Sequence, residues 1–155
     1  MPQPLAEEIL GKLEQVTTLY NRLILLVGPS GSGKTETLRE IQKQTSCPLI
    51  NLNLELSRLL LDLTERQRAL QVPRILSDML NKYDNDLILL DNVELLFDVT
   101  LRIDPLKLFQ KISRNKTLVV AWNGSVKNYK LLYAKPDHPE YRKYPIHELQ
   151  IVSAE

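Results

Sequence analysis

The sequence predicts an α/β fold, a five-stranded parallel sheet flanked by helices. Three observations carry that expectation. Apolar runs at residues 23–27, 87–90 and 117–122 are nearly unbroken, as in strands covered on both faces. Segments with helical apolar spacing lie between them, so helix and strand alternate, which calls for right-handed crossovers. A glycine-rich turn joins the first apolar run directly to a polar, helix-prone segment.

Composition sets the outer bounds. A chain of 155 residues fits one domain with room for a core. Apolar residues at 43% and charged residues at 25% are values of an ordinary globular protein. The net charge of +1 gives no global pull toward nucleic acid or membrane, so any electrostatic partner site must be local. A lone cysteine, Cys47, allows no internal disulfide. The N-terminus has Pro and acids early and lacks the basic-led apolar stretch of a signal peptide. No apolar run reaches the roughly 18 residues of a membrane span. The expectation is a cytoplasmic protein.

Taken in order, residues 1–22 predict an N-terminal helix packed on the core, with Leu5, Ile9, Leu13, Val16 and Tyr20 on one face. Asn21 marks its stop, and residues 23–27 form the first strand. Residues 34–44 read as a helix broken by Ser46, Cys47 and Pro48. Alternation with Asn51 and Asn53 predicts a less buried strand over 49–54. Ser57 is placed to cap a Leu-rich helix whose Arg58, Arg66 and Arg68 form its wet face. Pro73 is expected to open a second helix, 74–83, because proline is costly mid-helix. The strand 87–90 ends on Asp91. Asp104 or Pro105 opens a helix, 106–113, and the strand 117–122 ends on Asn123-Gly124. Residues 125–146 change texture, with five basic residues among Tyr129, Tyr133, Tyr141 and Tyr144, and three prolines. They predict a basic, tyrosine-rich loop region whose use is open between loop packing, a protein partner and nucleic acid. Residues 148–152 complete the sheet.

The chemistry concentrates in Gly28, Pro29, Ser30, Gly31, Ser32, Gly33, Lys34 and Thr35, a G-x-x-x-x-G-K-T phosphate-binding loop between strand and helix. Glycines let the backbone approach an anion, and the loop N–H groups and helix N-terminus face the phosphates. Lys34 adds charge for the β- and γ-phosphates, and Thr35 offers a hydroxyl to Mg²⁺. The predicted ligand is therefore ATP with Mg²⁺. Asp91 sits at the carboxyl end of a buried strand, where ligands of open α/β sheets gather, and is the second metal candidate.

These motifs resemble the AAA+ branch of P-loop ATPases. Residues 28–35 look like Walker A, LILLD ending at Asp91 like Walker B, and Asn123 like a sensor residue that contacts the attacking water or γ-phosphate. More narrowly, INLNLELSRLLLD and LLDNVELLF resemble the BrxF family, small P-loop proteins of bacteriophage-exclusion (BREX) defence operons. That resemblance implies a bacterial ATP-binding component working with a DNA methyltransferase, a larger ATPase and a phosphatase-fold protein. Two departures stand out. AAA+ proteins usually place a glutamate after the Walker B aspartate, whereas Asn92 follows here, and an amide is no general base. Glu94 either orients the lytic water or caps the next helix. No helical lid follows the last predicted strand. A homo-oligomer is expected, in which Arg142, or secondarily Arg114, acts on a neighbour's nucleotide as an arginine finger. The predicted function is an ATPase or ATP-gated assembly subunit. The alternatives are a nucleotide-gated interaction module without significant hydrolysis and a small-molecule kinase. Direct DNA contact is left open.

Overall fold

Every residue of β1 (Leu23–Gly28) is buried, which demands cover on both sides of the strand. The computed structural model, which describes residues 2–154, supplies it. Five strands run parallel in the order β2 (Leu49–Asn51), β3 (Leu87–Asp91), β4 (Thr117–Lys127), β1 and β7 (Gln150–Ser153). The register sets Leu25 beside Val120 on one side and Ile151 on the other. Because side chains alternate across a strand, β1 feeds two cores. Ile24 and Leu26 pack with Ala6, Ile9 and Val16 of α1 (Pro2–Val16) and with Leu38 and Ile41 of α2 (Lys34–Thr45). Leu25 and Val27 face the other core, built by α3 (Leu52–Leu60), α4 (Glu65–Asn81) and α5 (Pro105–Ile112).

Three elements depart from the sequence expectation. The strand expected over 49–54 stops at Asn51, whose side chain accepts the Leu54 N–H at 3.2 Å and caps α3. The asparagines therefore belong to a helix start rather than to strand alternation, and Ser57, expected as the cap, lies inside α3. Pro73 does not open a new helix; α4 runs through it for 17 residues. A capping box at Thr64 and Gln67 starts that helix, and burial of Val72, Leu76 and Leu80 around the proline offsets a cost of about 3 kcal/mol.

The third departure is the largest. Residues 125–146 are not one loop but carry strands at both ends of a connection over 134–141. β4 continues past Asn123 for four residues and pairs antiparallel with β5 (Lys130–Tyr133), which pairs with β6 (Arg142–Pro145). This small sheet makes the connection from β4 to β7 and buries Leu131 and Tyr133 in the same core as Leu25 and Val27. Phe97 stacks on Tyr133 at 3.5 Å between ring centroids, 3° from parallel. Trp122 meets both rings edge-on and donates its indole N–H to the Leu132 carbonyl at 3.1 Å. The crossing is so close that a Cβ at Gly124 would collide with the Leu132 carbonyl oxygen. Among the described residues no helix is long and apolar enough to cross a membrane.

Candidate functional site

Parallel strands end at one edge of the sheet, so β1, β3 and β4 deliver Gly28, Asp91 and Asn123 to the same place. Gly28 and Asn123 are register partners. The loop after β1 turns at Gly31 (φ +81°) and Gly33 (φ +90°), left-handed positions that glycine adopts without strain. A Cβ at Gly28 would sit 2.6 Å from Ser32 Oγ, so the loop folds tightly on its own strand. α2 opens at Lys34 with Gly33 as its N-cap and no side-chain cap, which leaves its first N–H groups for a ligand.

Lys34 is buried, and its Nζ donates to the carbonyls of Gly28 at 2.8 Å and Pro29 at 2.6 Å. Ser32 Oγ lies 3.3 Å away. Burial lowers the amine's pKa, while the carboxylates of Asp91 and Glu94 pull it back up. One residue on, Thr35 Oγ1 donates to Asp91 Oδ2 at 2.7 Å. Hydroxyl and carboxylate come from elements 56 residues apart, and only the parallel register of the sheet brings them together.

The turn after Asp91 explains the missing glutamate. Asn92 has φ +54°, a left-handed conformation that asparagine tolerates better than glutamate does. Its N–H donates to Asp91 Oδ1 at 3.0 Å and its carbonyl accepts the Asn53 N–H at 2.8 Å. Asn53 Oδ1 in turn accepts the Leu95 N–H at 2.8 Å. The turn thus starts a short 3-10 helix, Glu94–Phe97, with Glu94 in its first position. Burial pushes the Glu94 carboxyl above the usual range; backbone N–H groups of Glu94 and Val93 work against that, and the Asp91 charge adds to it.

A cleft of about 210 Å³ lies between these parts. Ser30, Gly31, Gly33, Lys34, Thr35 and Glu36 line one side; Asp91, Asn92, Glu94, Ala121 and Asn123 line the other. Gly28, Pro29 and Ser32 stand behind it as the partners of Lys34. A larger hollow of about 1000 Å³, between α4 and residues 99–102, lies away from this chemistry and carries no phosphate loop. No group of three or more His, Cys, Asp or Glu suited to a metal exists among the described residues, so a cation here would take few protein ligands.

Within the chain, Arg142 and Arg114 lie outside the lining of this cleft. Arg142 opens β6 rather than the last strand, and its Nη2 donates to the Ile103 carbonyl at 3.2 Å within its own chain. Its Nε is buried without a partner. The side chain is thus packed within its own chain. Arg114 lies just before β4, at the opposite end of the sheet from the loop, with its guanidinium 4.7 Å over the Tyr20 ring. Sequence reasoning missed Asn53, Glu36 and Ala121. Asn53 had a usable signal, since an asparagine pair around a helix start is a capping pattern.

The profile of the ATPase family associated with various cellular activities (AAA) matches residues 24–120, well over half of the sequence. The chain belongs to the AAA family. The matched span holds the phosphate loop, Asp91 and Glu94 of this AAA chain and ends just before Asn123. No curated protein matches it. Among solved structures it is similar to that of C. elegans PCH-2, at 18% identity and a TM-score of 0.48. That match covers 98% of this chain and 40% of the other, so the chain spans well under half the length of that protein.

Proposed function

We propose that this AAA chain binds ATP with Mg²⁺ in the cleft and hydrolyses it, as a subunit of a larger assembly. The Thr35–Asp91 hydrogen bond is the observation that carries the reading, because it sets a hydroxyl and a carboxylate side by side next to the phosphate-loop lysine. Those two groups suit a hard cation that keeps several waters. Bound with ATP, the cation supplies neutralising charge on the β- and γ-phosphates.

The chain's own residues account for the rest. Backbone N–H groups of residues 30–35 and the α2 N-terminus wrap the phosphates. Lys34 exchanges its loop carbonyls for β- and γ-phosphate oxygens. Glu94, held at the cleft by Asn53 and the Asn92 turn, accepts the proton of the attacking water as the bond from the γ-phosphorus to the ADP oxygen breaks. Its raised affinity for a proton suits a base better than an unperturbed carboxylate would. Asn123 contributes a hydrogen bond to the water or the γ-phosphate. Glu94 thus stands in for the glutamate that Asn92 displaced.

The test measures ATP binding and phosphate release on three proteins. Lys34→Ala loses binding, and Glu94→Gln binds ATP but releases no phosphate. Unaltered ATP affinity in Lys34→Ala overturns the site. A second reading, an ATP-gated switch without turnover, is favoured by Lys34 being tied to its own loop; ATP binding with negligible phosphate release by both the wild type and Glu94→Gln would select it. Through its resemblance to BrxF, the assembly is a cytoplasmic bacterial phage-defence (BREX) complex, with a larger ATPase, a methyltransferase and a phosphatase-fold protein as partners and further copies of this chain alongside.

A further inference from the structure

The tyrosine- and lysine-rich segment takes no part in the site above, and folding sorts its residues. On the β4–β5–β6 sheet, Val126, Leu131, Tyr133 and Tyr144 point into the core. The opposite face therefore carries Lys127, Lys130 and Lys143, with Ser125, Leu132 and Pro145 between them. Lys127 is the direct cross-strand partner of Lys130, and Lys143 lies diagonal to Lys130. Like charges directly opposite are unfavourable on a sheet. No ion pair relieves them among the described residues. The acids of the segment, Asp137 and Glu140, fall in the β5–β6 connection rather than on the face.

At the tip, the two-residue turn between β4 and β5 is Asn128 (φ +52°) and Tyr129 (φ +61°). Asparagine suits its place, but the second position is one that glycine usually fills. Tyrosine is held there with 83% of its surface exposed and its ring against no other ring among the described residues. Three unpaired lysines thus lie beside a bare aromatic ring.

We propose that this outer face binds single-stranded nucleic acid, with Lys127, Lys130 and Lys143 on successive phosphates and Tyr129 stacked on a base. The charge complementarity selects a polyanion, and the exposed ring selects one whose bases are free to stack. The inference stands independently of ATP chemistry, because the face shares no residue with the cleft.

Fluorescence anisotropy on the full chain tests it, using labelled oligonucleotides of about 12 nucleotides: oligo-dT, oligo-U and a duplex of equal length. Three phosphate contacts give a slope of log affinity on log salt of about −2 on single strands, so binding falls roughly fifteen-fold between about 50 and 200 mM salt. The triple variant Lys127→Gln, Lys130→Gln, Lys143→Gln brings that slope close to zero. Tyr129→Ala weakens binding at least about five-fold and leaves the slope intact, whereas Tyr129→Phe retains affinity. ATP affinity, measured on each variant, reports that the fold is kept. Binding of either oligo-dT or oligo-U supports the inference and shows which sugar is preferred. A duplex bound more tightly than the single strands overturns it. So does a slope that survives the triple variant. The competing role for the lysines is to keep edge strand β6 from pairing with other sheets; absence of oligonucleotide binding, with self-association of the triple variant, would establish that and overturn the proposal.

Discussion

Replacing Asn92 by glutamate restores the acid pair that AAA ATPases usually carry, and the geometry says it will not help. Position 92 holds φ +54°, and its N–H and carbonyl are committed to Asp91 and to Asn53. A residue other than glycine or asparagine costs roughly 1–2 kcal/mol in that conformation, and asparagine already bears part of it. The increment for Asn92→Glu is therefore about 1 kcal/mol, before any repulsion from Asp91 and Glu94. In a chain of this length that lowers Tm by about 2–4 °C. Asn92→Gly, free of the steric penalty, stays within about 1 kcal/mol of wild type. Thermal melts and phosphate release, measured side by side, make the check. Asn92→Glu is expected to melt lower without releasing phosphate faster. Combined with Glu94→Gln, it should remain inactive, because a side chain leaving position 92 does not replace one leaving position 94. A double variant with wild-type turnover, or a single variant that melts no lower and turns over faster, would refute the reasoning.

Three other outcomes test the rest of the structure. Glu94 binds its proton more tightly folded than unfolded, so its ionised form destabilises the fold above the usual carboxylate range and is harmless below it. Glu94→Gln should accordingly raise Tm at pH 7, with the gain vanishing as pH falls toward about 4; a gain independent of pH contradicts the burial of that carboxylate. Gly124→Ala forces the Leu132 carbonyl away and orphans the Trp122 N–H. Overpacking and the lost bond each cost about 1–3 kcal/mol, so Tm should fall by at least about 5 °C; a change below about 1 °C means the β5–β6 sheet does not seat there. Arg142→Ala should lower Tm and leave the dependence of specific activity on protein concentration unchanged. A flattened concentration profile at constant Tm would return Arg142 to a role on a neighbouring copy.

The sheet and the phosphate loop were legible because their signals are local. Residues 23–35 contain a whole buried strand, a turn whose glycines are compelled, and a helix start. Asp91 was legible for the same reason, as an acid closing an apolar run. The misreadings arose where distant contacts override local preference. Pro73 looked like a boundary, yet buried Val72 on one side and Leu76 and Leu80 on the other hold α4 together across it. Asn51 and Asn53 looked like strand alternation because a cap and its helix are told from a strand only by what the backbone does next. The segment 125–146 carried prolines and charges that read as loop, while its inward residues Leu131 and Tyr133 reveal a strand only once Phe97 and Trp122 are there to receive them.

The tethered amine of Lys34 has a consequence for what the loop will accept. Its two short bonds to Gly28 and Pro29 make the resting loop a closed circuit, with the cation already served by carbonyl oxygens. An incoming anion competes with those oxygens before it gains anything. A lone phosphate, with little else to grip, meets that threshold with few contacts of its own. A triphosphate brings several charged oxygens together, and the contacts of its inner phosphates help draw the lysine across. If the cleft holds ATP as proposed, the same two carbonyls that keep the lysine in place select against ligands with fewer phosphates.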